Sequence, residues 1–317
     1  MKKKKMTKGT KRTILIYLLI LVVFYIVIYV VPQVSDVFLD TYIAEYGTLE
    51  VKEETTCLFV RDEKVFTAGY SGKVKKLAEE GELIKKGASV VEVGSHGITA
   101  ERKGIVSYYS DGLEATYTIG SLDTLTVDVL NKIEDGEDTQ VRELSNGSIE
   151  SGNPVFKISD NQKWYLVFWL KEESAEKYVT GNNVTVDFLD GDEEEEGTRI
   201  RAHVESVTKQ EDLTRVILSC NLYYEDFAKY RVKECSIISS SSTGILLQTS
   251  SIVEEGGQKG VYVVDKIGNY NFTPVRILGS DGETTVVEKN YFYDADGYPV
   301  YTVESYNEIL KQNTEKE

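Results

Sequence analysis

Histidine, methionine and tryptophan occur twice each in this 317-residue chain, cysteine three times and proline four times. Four prolines without a periodic glycine pattern exclude collagen-like and Pro-rich fibres. Cys57, Cys220 and Cys235 are odd in number and far apart, so they complete no disulfide framework and offer no zinc-ligand spacing. They read as small apolar residues on strands, with a Cys220 to Cys235 bridge as the oxidised alternative. Basic residues are also in deficit, 36 against 52 acidic, for a net charge of −16. That balance excludes a nucleic-acid surface of the usual basic kind. His96 and His203 are the only histidine bases available, and no G-x-S-x-G or cysteine nucleophile motif accompanies either. Both read as surface or strand-face residues.

Acidic residues are missing altogether before Asp36, and there the sequence changes character. Lys2, Lys3, Lys4, Lys5, Lys8, Lys11 and Arg12 precede an uncharged run of eighteen residues, 14–31, while the rest of the chain carries 29 basic against 52 acidic residues, a net of −23. As a helix the run spans about 27 Å at ~1.5 Å per residue, close to a bilayer core. A cleavable leader would be shorter and end in a small-residue site, whereas tyrosines, Pro32 and Gln33 stand here. The expectation is a basic cytoplasmic tail (1–12) and a single transmembrane helix (13–31). By the positive-inside rule the N-terminus is inside and the bulk of the chain extracytoplasmic, at the plasma membrane.

Beyond Pro32, β-branched and aromatic runs recur every eight to twelve residues between Gly, Asn and Asp, as in sandwiches and barrels. Such runs lie at 51–60, 104–110, 163–170, 183–189, 200–207, 215–222, 260–267 and 285–293. Helical spacing is confined to 123–133, 171–178 and a terminal turn at 306–312, so no strand-helix-strand series supports a doubly wound enzyme. Polar stretches at 134–153 and 239–244 are the expected joints.

Residues 68–93, AGYSGKVKKLAEEGELIKKGASVVEV, set Gly72, Gly81 and Gly87 at tight-turn spacing, and Gly104-Ile105-Val106 repeats the apolar rhythm. This resembles the two halves of biotinyl/lipoyl-like domains. A carrier would expose a modifiable lysine between the halves, but the hairpin there is Gly94-Ser95-His96-Gly97. Further on, GNPVFKISDNQKWY (152–165), YVTGNNVTVDF (178–188), GILLQTSSIVEEGGQKGVYVV (244–264) and FTPVRI (272–277) follow one another in the order and spacing of the HlyD-like, RND-related periplasmic adaptors. Over about 250 residues the chain resembles these membrane fusion proteins in their Gram-positive, single-pass form.

The resemblance implies a mainly β fold. After the helix come a membrane-proximal lead-in (32–65), a lipoyl-like barrel-sandwich hybrid domain (66–153, with a polar insertion at 115–153), a β-barrel domain (154–240) and a membrane-proximal C-terminal β domain (241–317). It implies no enzyme, no catalytic or metal residues and no cofactor. The implied role is docking on a membrane transporter or envelope protein of an efflux or export complex, with room for a homo-oligomer. The alternative is a structural scaffold of the envelope or division machinery. Two departures stand out. Gln248 replaces the family's usual proline, and only ten residues separate Val93 from Gly104, so the long helical hairpin of many adaptors is missing.

Three short matches to other chemistry are weaker. Ser174-Ala175-Glu176-Lys177 and Ser159-Asp160-Asn161 fit two penicillin-recognising motifs in reversed order, without the third. The acidic run 190–196 reads as a solvated hairpin loop. Asp294-Ala295-Asp296-Gly297 lacks the remaining calcium ligands and reads as an Asp-Gly turn.

Overall fold

The computed structural model describes residues 17, 19–25, 40–134, 141–190 and 197–311. Residues 17 and 19–25 are helical and exposed, and among the described residues no helix is long and apolar enough to cross a membrane. Most of the expected span 13–31, the tail 1–12 and the acidic run from 191 to 196 lie outside the described residues. The described fold is mainly β. It divides into a unit of residues 50–240 and a unit formed by 1–49 with 241–317.

The chain enters through β1 (Thr41–Ile43) and β2 (Glu45–Val60). A sandwich of two four-stranded sheets follows, built from β3 (Glu63–Thr67), β4 (Gly72–Lys76), β5 (Leu83–Ile84), β6 (Ser89–Val93), β7 (His96–Thr99), β8 (Gly104–Ser107) and β9 (Tyr109–Ser110), then β10 (Arg142–Glu143), β11 (Ser148–Ile149) and β12 (Pro154–Ser159). One sheet runs β3-β12-β8-β5 and the other β11-β4-β6-β7, while β9 and β10 form a separate two-stranded ladder. The two faces enclose Phe66, Val90, Val91, Val93, Val106, Tyr108, Val155, Phe156 and Ile158. Gly104 is required by packing, because a Cβ there would come within 2.4 Å of the Ser159 carbonyl.

The barrel comprises β13 (Trp164–Leu170), β14 (Asn183–Asp187), β15 (Arg199–Gln210), β16 (Leu213–Cys220) and β17 (Val232–Gln248) together with β2. The order β14-β15-β16-β13-β2-β17 closes on itself through a β14–β17 pairing, which removes the sheet edges. Every residue of β13 is buried, because both faces of the strand are covered. Trp164, Leu166 and Phe168 enter the barrel core, and Tyr165, Val167 and Trp169 face a second cluster with Leu125, Leu130 and Ile133.

That outer cover comes from the polar insertion. The single helix expected over 123–133 is two pieces, a 3-10 turn at Ile119–Thr124 and α1 (Val127–Glu134), separated by an extended Leu125. The break has a cause: Arg215 Nη1 donates to the carbonyls of Leu122, Asp123 and Leu125 at 3.1, 3.0 and 2.9 Å, and Gln210 Nε2 also donates to Leu125. The side chain of Leu125 then drops onto the barrel wall.

The remaining expectations fare variously. The polar stretch 134–153 is no free joint in its described part, since β10 pairs with β9 and β11 with β4. Backbone hydrogen bonding, which the composition does not reveal, holds it. The joint expected at 239–244 does hold the boundary between the two units, at 240 and 241, but as the middle of β17 and not as a loop: Ser239 Oγ donates to Val51 O and Thr243 Oγ1 meets Thr48 Oγ1 at 2.8 Å. The helix expected over 171–178 is a single turn, α2 (Glu172–Ala175).

In the other unit, β18 (Val253–Glu255), β19 (Gln258–Val264), β20 (Tyr270–Pro274) and β25 (Glu308–Leu310) form a sheet with β1, and β21 (Ile277–Ser280) pairs with β22 (Thr284–Val287). The 285–293 run breaks at Asn290, whose φ of 69° ends β22 before β23 (Tyr291–Tyr293), and β23 pairs with β24 (Pro299–Tyr301). The expected helical turn at 306–312 is instead β25 in its described part, recruited by pairing with β1 and β19.

Candidate functional site

The sandwich and barrel meet at a buried charged seam that the sequence did not reveal. Arg61 follows β2, Glu63 opens β3, Lys157 lies on β12, Asp111 and Glu114 follow β9, and Arg231 precedes β17. All six side chains are buried, three cations against three carboxylates. Glu63 is the hub. Its Oε1 accepts from Arg61 Nε at 3.0 Å and Lys157 Nζ at 2.8 Å, and its Oε2 from Arg231 Nη2 at 2.5 Å. Arg231 Nε reaches Asp111 Oδ2 at 2.8 Å, while Arg61 also donates to the carbonyls of Tyr230 and Ala228.

Burial pushes the Glu63 carboxyl up, but Arg61, Arg231 and Lys157 together outweigh it and hold the group well below the usual carboxylate range. Asp111 is likewise lowered, by Arg231 against the opposing effect of its burial. Burial, with repulsion from Arg61, pushes the Lys157 ammonium down despite Glu63 and Asp111. The one sequence hint was Lys157, a charge between two apolar residues on a strand that is buried along nearly its whole length.

At the far side of the sandwich, β6 and β7 join through Gly94 and Ser95, with Val93 paired to His96. The position at which a carrier domain presents its lysine, and at which many adaptors insert a helical hairpin, is a two-residue turn. Beside it lies a groove of about 480 Å³ between β3 and β7. Tyr70 stacks on His96 at one end, ring centroids 3.9 Å apart, and Lys64 pairs with Glu101 at the other.

Other residues singled out by motif are absorbed elsewhere. Ser159 Oγ donates to Glu63 and Asp160 pairs with Arg102, whereas Ser174 and Lys177 both turn to Glu53. The two penicillin-type motifs therefore keep different partners. His203 Nδ1 faces Asn183 Oδ1 at 3.4 Å on the barrel exterior. Cys57, Cys220 and Cys235 are free thiols in the barrel core. Burial raises Cys57 and Cys220, and the neighbouring Cys235 adds to both shifts. Asp294 closes its turn by accepting the Asp296 and Tyr298 N–H groups.

Two family models match the chain: RND related, barrel-sandwich hybrid domain, over residues 63–160, and RND related, beta-barrel domain, over residues 164–241. Together they cover more than half of it. Among solved structures, MacA from Actinobacillus actinomycetemcomitans is 13% identical with a TM-score of 0.34, covering 86% of this chain and 99% of that one. ZneB from Cupriavidus metallidurans is 10% identical with a TM-score of 0.28, covering 88% and 94%. The membrane fusion protein Spr0693 from Streptococcus pneumoniae R6 is 10% identical with a TM-score of 0.27, covering 60% and 100%. No curated protein matches the chain.

Proposed function

The chain belongs to the RND-related membrane fusion, or adaptor, proteins, a non-enzymatic family, and from that premise we propose that it is the membrane-anchored adaptor subunit of an efflux or export complex. In this reading residues 13–31 cross the plasma membrane once with the basic tail inside. Residues 241–317 form the membrane-proximal domain, and the sandwich and barrel are the docking body outside the cell. Work is done by protein–protein contact with a membrane transporter or an envelope protein.

One observation carries the proposal. A sandwich whose would-be carrier turn is Gly94-Ser95, with no lysine to load, is locked to a closed barrel by six buried charges. Such an arrangement supplies a stiff platform and no chemistry. The net charge of −23 beyond the basic tail favours a basic partner surface. The short turn also supports a second reading, an envelope or division scaffold, because the hairpin that would reach across an envelope is missing.

Crosslinking in intact cells, followed by purification of the full chain, should recover a polytopic membrane protein, and deletion should impair export of a compound. Septal localisation with unchanged export would move the assignment to the scaffold. Protease added to protoplasts should release the folded outer part while the tail stays membrane-bound. A secreted chain beginning after Val31 would remove the anchor.

A further inference from the structure

The groove beside the Gly94-Ser95 turn has walls of an unusual kind. Among the described residues β3 pairs only with β12 and β7 only with β6, so each turns an unpaired edge toward the groove. Lys64 pairs with Glu101 and Tyr70 with His96, so the chain runs in opposite senses along the two walls. Edge strands ordinarily carry charges that repel added strands. Here the charged pair sits at one end, and the middle is uncharged: Val65, Thr67, Gly97, Ile98 and Thr99.

Two glycines at the groove lack an internal reason. A Cβ on Gly97, in the middle of β7, or on Gly69, just past β3, would meet nothing within 4 Å, and neither has a left-handed φ. Glycine inside a strand marks a bulge, a bend or a close approach of another backbone, and the register shift of β6 against β7 lies opposite Ile98 and Thr99, whereas Gly97 is in regular register with Glu92.

We propose that this groove is a strand-addition site. An extended, uncharged segment of a partner protein, rich in β-branched residues, pairs its main chain with the free edge of β7 and lies against β3, entering past Gly97 and Gly69. Main-chain hydrogen bonds would supply the affinity, and the shallow positions beside Thr67 and Ile98 the choice of side chains. The proposal deepens the adaptor reading and rests on it only in taking the sandwich to be a docking module.

The test uses the full chain in detergent micelles and a defined probe, an acetylated and amidated peptide with a Val-Thr-Val-Thr centre and lysine at each end. At millimolar peptide, amide exchange should slow by about tenfold or more across 64–67 and 96–99, and nowhere else. The same peptide N-methylated at alternate residues, unable to pair its backbone, should have no effect. Gly97→Val should weaken the peptide about tenfold or more by filling the space left open over β7, without lowering the thermal unfolding temperature, because a Cβ there meets nothing within 4 Å and valine favours a strand more than glycine does. Thr99→Lys, which charges the middle of the groove, should do the same.

Absence of protection at these strands, protection that survives N-methylation, or binding unaltered in both variants would each overturn the proposal. No transporter takes part in this measurement. An empty groove would therefore leave the adaptor reading standing, and a missing transporter would leave the groove result standing.

Discussion

At the scale of single residues, Glu63 is the most consequential side chain in the larger unit. Removing one partner from a buried ionic cluster strands the others, so Glu63→Gln should destabilise the protein by about 3–5 kcal/mol in urea unfolding. Unchanged stability would show that water reaches the seam. The sign of the pH dependence follows from the same group. Glu63 is held below its ordinary value of 4.5 and Asp111 below 3.8. Each contributes stability that is fully present above its unfolded value and is lost as pH falls through the folded one. Unfolding free energy should thus drop as pH falls below about 4.5, more shallowly in Glu63→Gln, when followed by denaturation across pH. The three thiols should resist thiol-specific reagents in the native state and react on unfolding, because all three are buried in the barrel core where a reagent cannot reach them. Gln248 offers a smaller lesson: its backbone N–H donates to Tyr42 Oη at 2.9 Å, a bond that the family's usual proline could not make.

Among the elements, β13 and the insertion that covers it belong together. The run Trp-Tyr-Leu-Val-Phe-Trp-Leu at 164–170 lacks alternation, and a barrel strand with one solvated face would alternate. Its outer half is dry only because α1 and Leu125 lie over it. Arg215→Met would leave the Leu122 and Asp123 carbonyls without that donor and should cost about 1–3 kcal/mol. Amide exchange should rise first in 119–134, before the barrel strands. If exchange rose uniformly instead, the insertion would be an integral part of the barrel rather than a cover on it.

For the molecule as a whole, unit 50–240 carries the testable claim. Sandwich and barrel share Glu63, Lys157, Asp111, Arg61 and Arg231, so neither can open without exposing unpaired charge. Trp164 and Trp169, the only tryptophans, lie on β13 and report the barrel by fluorescence, while amides of β6 and β8 report the sandwich. The two signals should coincide in urea for the native chain and separate in Glu63→Gln. Transitions already separate in the native chain would mean that the seam aligns the domains without coupling them.

Much of this was legible without coordinates. Turn glycines and β-branched runs specify a mainly β chain with tight hairpins, because local φ preferences and side-chain spacing act over a few residues at a time, and the resemblance of the ordered motifs to the adaptor family implies the lysine-free sandwich followed by a barrel. Other features depend on residues far apart in the chain. The charged seam gathers positions 61 to 231. The strand at 239–244 exists because of its ladder partners, despite a composition suited to a loop. Helix 123–133 breaks because Arg215, some ninety residues on, takes its carbonyls. Desolvated charges and unpaired backbone groups must find partners wherever the folded chain brings them. That demand is met only in three dimensions, and it is why pattern determined the modules while tertiary structure decided how they are joined and which edges stay open.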